Sequence, residues 1–219
     1  MTEPVTDLAS RLEACYAAAV HDVLRSMGHE RCVLPPSIRA LDPAKRLAGE
    51  IWTFGGNVDT TQGAHETLLA WTGLLSKAPT GKVLVCQPNT HALALMGELS
   101  AETLWFRGIK GYVVDGGCRD TDFILTLGFP VFCSFATPSD IVGRWLPDRF
   151  GEPVTIGDVT IRTGDWLLGD RDGVVVIPGG IVEDVVTRTE QVLQQENSVR
   201  TAILAGVDPQ EAYLKYGKF

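Results

Sequence analysis

The chain has 219 residues, 45% of them apolar and 21% charged, with mean hydropathy near zero, which is the profile of a globular protein with a sizeable core. A net charge of -8 argues against a nucleic-acid partner, which would want a basic stripe that the sequence does not show. No apolar run reaches the ~18 residues of a membrane span, and acids precede the first apolar stretch where a secretory signal would be basic, so no membrane partner and a cytoplasmic location are expected.

In chain order, TDLASRLEACYAAAVHDVLRSMG has apolar residues at helical spacing, with Thr6 or Asp7 as cap and Gly28 as stop. After a Pro-punctuated connector, AGEIWTF predicts a strand that GGN interrupts, the GGN turn narrowing a cleft. A helix is expected over 58–77, a buried strand at KVLVCQP, and a helix over 91–107. A second buried strand, KGYVVDGG, leads into a short helix over 119–127, then the strand PVFCSFA. This alternation predicts a parallel or mixed sheet with crossover helices. Past residue 149, short strands cut by GD and RDG read as hairpins, the GDRDG tip being solvated. A long helix is expected over 180–205 and a shorter one after Asp208. The chain thus reads as one α/β domain over 1–219 with a C-terminal helical extension from about 180.

The segment YVVDGGCRDTDFI puts Arg119 beside Asp120 at a helix start. Asp120 has two readings, a helix cap or a ligand for a hard cation. Arg119 fits a helix start poorly, because the helix dipole disfavours a cation there, so it calls for an anion such as a substrate carboxylate. Ligands gather at the carboxyl ends of strands in open α/β sheets, and both residues follow such an end. Glu98, with twenty residues between it and Arg119, follows the neighbouring strand; it is either a solvated acid or a second oxygen ligand across a small cleft.

Five cysteines without a C-x-x-C pair read as reduced core thiols. Cys118 beside Arg119 could be an activated nucleophile, but no base is recognisable next to it. None of the six lysines lies within an apolar run, as a Schiff-base amine requires. His21, His29, His65 and His91 show no ligand spacing; His91 fits a cap or surface role.

The acid-x20-Arg-Asp pattern of Glu98, Arg119 and Asp120, with SIRALDPAKRLAG, GIKGYVVDGGCRD, LGFPVF and GDRDGVVVIP around it, resembles the 4-hydroxy-4-methyl-2-oxoglutarate / 4-carboxy-4-hydroxy-2-oxoadipate aldolases, the family of the regulator of ribonuclease E activity A. The resemblance implies a single-domain α/β/β/α sandwich with a mixed sheet, forming homotrimers or homohexamers with sites between subunits. It implies a divalent cofactor, Mg2+ or Mn2+, bound by Asp120, with Glu98 reaching it through water and Glu196 contributed by a neighbouring subunit. Arg119 would hold the substrate's keto and carboxylate oxygens, and the Gly97-Glu98-Leu99 backbone its carboxylate. The implied reaction is retro-aldol cleavage of a 4-hydroxy-2-oxo di- or tricarboxylic acid to pyruvate and a second oxo acid, in which Arg119 and Glu98 are catalytic. Oxaloacetate decarboxylation is the alternative main activity, and a non-catalytic, protein-binding regulator of a ribonuclease the alternative from another class. The chain departs from the family in carrying Glu98 where Asp is frequent, and Phe123 where an acid is usual, with Asp122 as the candidate substitute. Trp52, Trp105 and His65 are candidates to border the specificity pocket.

Overall fold

A computed structural model describes residues 7–218. The helices are α1 (Leu8–Ala14), α2 (Ala17–Ser26), α3 (Ala64–Lys77), α4 (Glu98–Phe106), α5 (Thr121–Leu127), α6 (Val182–Leu204) and α7 (Pro209–Tyr216). The strands are β1 (Arg39–Ala40), β2 (Leu47–Val58), β3 (Val83–Gln87), β4 (Gly111–Cys118), β5 (Val131–Ala136), β6 (Trp145–Phe150), β7 (Val154–Ile156), β8 (Val159–Ile161), β9 (Trp166–Asp170) and β10 (Gly173–Ile177).

Strands β2 to β5 pair in parallel in the order β5-β4-β3-β2, and β1 closes that edge antiparallel to β5. Long β2 joins the two halves of the sheet: Ile51–Gly55 pair with β3, while Leu47–Glu50 pair with β9 of the β9-β10 hairpin. The sheet is therefore mixed, and it curls. The interior of the curl holds Ile51, Val85, Val113, Phe132, Leu167 and Val176, plugged by the β7-β8 hairpin through Ile156 and Ile161. One apolar cluster joins α3, α4 and α5 to the outer face of the parallel half, and another joins α1, α2 and α6 to β9 and β10. The two β layers expected from the sequence are thus the two halves of one curled sheet.

Several elements differ from the sequence expectation, each for a tertiary reason. GGN does not interrupt the strand; β2 runs through it to Val58, because β6 pairs with Phe54–Val58 on its other edge across a bulge at Gly55/Gly56. A Cβ at Gly56 would overlap the Leu146 carbonyl and the Trp145 ring, so a strand passes here only as glycine. Residues 58–63 are consequently strand end and loop, and α3 begins at Ala64.

The expected first helix is two. Extended Cys15 and Tyr16 separate α1 from α2, and the Asp170 carboxylate accepts the Ala17 N–H (2.8 Å) where α2 starts. Asp170 also accepts the Asp172 N–H (2.9 Å) and is buried, so the GDRDG tip is not wholly solvated. Of the two expected caps, Asp7 makes no side-chain capping bond and Thr6 lies outside the described residues. Gly28, at φ +86°, ends α2. The capping of α7 by Asp208, through Gln210 and Glu211 N–H, follows the expected pattern. No helix among the described residues is long and apolar enough to cross a membrane.

Asp170→Ala would strand the buried Ala17 N–H and release the Asp172 N–H at the exposed hairpin tip. Stability should fall by about 1–3 kcal/mol in a urea titration, the cost of one orphaned buried donor. A loss under ~0.5 kcal/mol would show that α2 starts without this carboxylate.

Candidate active site

The segment 91–97 is not helical as expected. Ala94 bridges Gly117 of β4, with Leu95 N–H donating to Gly117 O (2.9 Å) and Gly117 N–H to Leu93 O (3.0 Å). The segment therefore extends the parallel sheet beyond the end of β3. Gly116 and Gly117 lie inside β4, not in a turn. Arg119 N–H donates to Met96 O (2.8 Å), which locks the end of β4 against the start of α4. Helix α4 begins at Glu98, and its first turn faces the Arg-Asp pair.

Asp120 does not cap its own helix. It sits at the N-cap position of α5 in the left-handed region, φ 54° and ψ 38°, and makes no capping bond there. Its Oδ2 instead accepts the Glu98 N–H (3.2 Å) and lies 3.2 Å from Arg119 Nε. A non-glycine residue at positive φ carries about 1 kcal/mol of strain, an outlier that recurs at ligand sites. The left-handed turn sends the carboxylate towards α4. At Gly97 a Cβ would stand 2.7 Å from Asp120 Oδ2 and 3.2 Å from Arg119 Nε, so the contact needs glycine there.

Arg119 does find anions, but from the chain itself. Nη1 donates to Asp140 Oδ2 (3.2 Å), and Arg144 Nη2 holds Asp140 Oδ1 (2.9 Å). Burial pushes the Asp140 carboxyl up, but the Arg144 hydrogen bond, the Val142 N–H and the two guanidinium charges outweigh it and leave its pKa below the ordinary value. Asp140 escaped the sequence reading because it lies in the loop after β5 without a motif. The N–H groups of Leu99 and Ser100 in the first turn of α4 have no acceptor among the described residues, as helix geometry dictates. The Glu98 carboxylate, half-exposed, also makes no hydrogen bond to a described residue.

These groups line one end of a cavity of about 390 Å³ that continues between α3 and α4. Gly97, Glu98, Leu99, Arg119 and Asp120 all border it; Trp52, Trp105, His65 and Phe123 do not. Asp122 is exposed, and its carboxylate makes no hydrogen bond to this corner. His91 pairs instead with Asp115 Oδ1 (2.9 Å), which also accepts from Ser134, while Gln87 donates to Asp115 Oδ2. All five cysteines are buried and free. The Cys133 contact and burial raise the Cys118 pKa, so Cys118 is an inert core thiol. Glu196 lies on α6, bound to the Tyr16 hydroxyl and 3.4 Å from Lys218 Nζ, and does not line this cavity in its own chain.

Asp120 Oδ1 has no hydrogen-bond partner, and no cluster of three His, Cys, Asp or Glu side chains suited to a metal exists among the described residues. That donor set does not fit a cage of protein ligands. It does fit the sparse mode of Mg2+, which takes one or two carboxylates and keeps several waters.

An RraA-like profile, Aldolase/RraA, matches residues 17–176, and the chain belongs to this family of mixed α/β single-domain proteins. Protein DlpA of Legionella pneumophila is 28% identical over 216 residues, which are 98% of this chain but only 34% of DlpA. A Halalkalibacterium halodurans protein named "Putative 4-hydroxy-4-methyl-2-oxoglutarate aldolase" is 32% identical over 161 residues, 73% of this chain and 76% of that one. The crystal structure of an uncharacterized Pseudomonas syringae protein superposes with a TM-score of 0.85 at 26% identity, covering 98% of this chain and 96% of the other.

A depressed folded-state pKa stabilises above the unfolded value and is lost as pH falls through the folded one. Stability should therefore drop as pH falls below the ordinary aspartate value of 3.8. In Asp140→Asn that acid limb should be shallower in urea titrations; an unchanged limb would remove Asp140 from the ion-pair network.

Proposed function

We propose that this chain is a divalent-metal-dependent carbon–carbon lyase that cleaves a 4-hydroxy-2-oxo acid to pyruvate and a second oxo compound. One observation carries the reading: a guanidinium, a carboxylate with a free oxygen and the open N–H groups of a helix converge on one end of a cavity.

Arg119 donates Nη1 to Asp140 and pairs electrostatically with Asp120 at 3.2 Å, which holds the guanidinium at the corner and leaves Nη2 for a keto or carboxylate oxygen. The Leu99 and Ser100 N–H groups, at the positive end of α4, suit the substrate carboxylate. Asp120 Oδ1, with water held by Glu98, would keep the cation, which when bound supplies Lewis-acid polarisation of the substrate's oxygens. Breaking the C3–C4 bond sends its electron pair towards the 2-keto oxygen. Arg119 stands where that charge develops, and a donor fixed in advance stabilises it most. The proton of the C4 hydroxyl leaves as C4 becomes a carbonyl, and C3 gains one to complete pyruvate. A water on the unengaged Glu98 carboxylate is suited to both transfers. Decarboxylation of oxaloacetate makes the same electronic demand and would run in the same place.

A homotrimeric or homohexameric assembly belongs to the proposal. What supports it is the set of exposed large apolar side chains on α4 and α5, Leu99, Trp105, Phe106 and Phe123. For Glu196 to serve a neighbouring site, the assembly would have to release it from Tyr16 and Lys218.

Pyruvate release from 4-hydroxy-2-oxo acids and from oxaloacetate should require added Mg2+ and stop with chelator. Asp120→Asn should lower kcat by at least a hundredfold without unfolding the chain. A change within threefold, ~0.7 kcal/mol, would reject Asp120, and no release from any 2-oxo acid would leave the binding-module reading.

A further inference from the structure

The cavity changes character away from the charged corner. Its charged lining is Glu98, Arg119, Asp120 and Asp140, all at one end. The rest of the wall is built by Leu68, Trp71 and Leu75 of α3, Thr103 of α4 and Val142 of the loop after β5. Polar atoms there are already occupied. The Thr72 hydroxyl donates to Leu68 O (2.7 Å) and the Thr103 hydroxyl to Leu99 O (2.7 Å). Trp71 Nε1 donates to Ser100 Oγ (2.9 Å), which leaves the hydroxyl hydrogen of Ser100 as the one uncommitted side-chain donor on this wall among the described residues.

We infer that this apolar wall sets substrate choice: the C4 end of the substrate carries an alkyl or aryl group, not a second carboxylate. The inference rests on the lyase reading of the corner and adds the identity of the C4 substituent. With the 2-oxo acid end held at Arg119 and the α4 N–H groups, the rest of the substrate extends along Leu68, Trp71 and Leu75. A carboxylate placed against this wall would give up part of its water and find no cation and no free N–H among the described residues to replace it, which is unfavourable. An alkyl group in the same position gains from leaving water. Leu68 is the residue on which this choice turns most readily, because it is 47% exposed at the rim and accepts a longer side chain without disturbing the core.

The test compares kcat/KM for pyruvate release from 4-hydroxy-2-oxohexanoate, which yields propanal, with that from 4-hydroxy-4-methyl-2-oxoglutarate, which yields a second pyruvate. The wild-type chain should favour the hexanoate at least tenfold. Leu68→Arg should shift the ratio at least tenfold towards the dicarboxylate. Thr72→Lys, which brings a cation from the next turn of α3, should move it the same way if Leu68→Arg fails to fold. Equal or better turnover of the dicarboxylate by the wild type, or ratios unmoved in both variants, overturns the inference while leaving the lyase reading intact. Release from neither substrate, nor from oxaloacetate, removes both.

Discussion

The site depends on a single shared atom. Asp120 Oδ2 meets Arg119 Nε and the Glu98 N–H, and so ties the end of β4 to the first turn of α4. The left-handed backbone of Asp120 makes this possible, and the missing Cβ of Gly97 makes room for it. Neither tie is strong alone, because partly exposed ion pairs contribute ~1 kcal/mol or less. Their effect is geometric. They hold one carboxylate oxygen inward and leave the other open, and they keep the guanidinium at the corner before any ligand arrives.

The curled sheet makes that arrangement reproducible. Strand β4 runs past the end of parallel β3, and residues 93–96 pair along that extra length. The start of α4 is therefore delivered to the Arg-Asp pair by backbone hydrogen bonds, not by a flexible loop. The loop after β5 closes the third side, with Asp140 shared between Arg119 and Arg144. Charge at the corner is close to balanced within the chain. Substrate recognition then depends on the unused Nη2 donor of Arg119, on free N–H groups and on a bound cation, instead of on an excess of positive side chains.

Much of this was legible in the sequence, and the failures share a cause. Period and punctuation revealed the strands of the parallel half, both hairpins, α6 and the short helix after Asp208, because those signals are local. The break between α1 and α2 was not legible, since the Asp170 carboxylate that marks it lies more than 150 positions away. Strand β2 passed through GGN for a similar reason: a partner strand and the Trp145 ring, not local propensity, decide the backbone there. At the site, Arg119, Asp120 and Glu98 were found through their spacing. Asp140 and the apolar wall from α3 carry no motif, and only the fold brings them to the corner. The cap reading of Asp120 was reasonable for an acid at a helix start; the positive φ that turns its side chain to another helix cannot be seen in residue order.

The most direct measurement is a crystal structure of the protein with Mg2+ and oxalate, a planar mimic of the pyruvate enolate. The account predicts oxalate between Arg119 Nη2 and the Leu99 and Ser100 N–H groups, with the cation on Asp120 Oδ1. Oxalate and Mg2+ bound elsewhere, with Asp120 still tied only to Arg119 and Glu98, would contradict it.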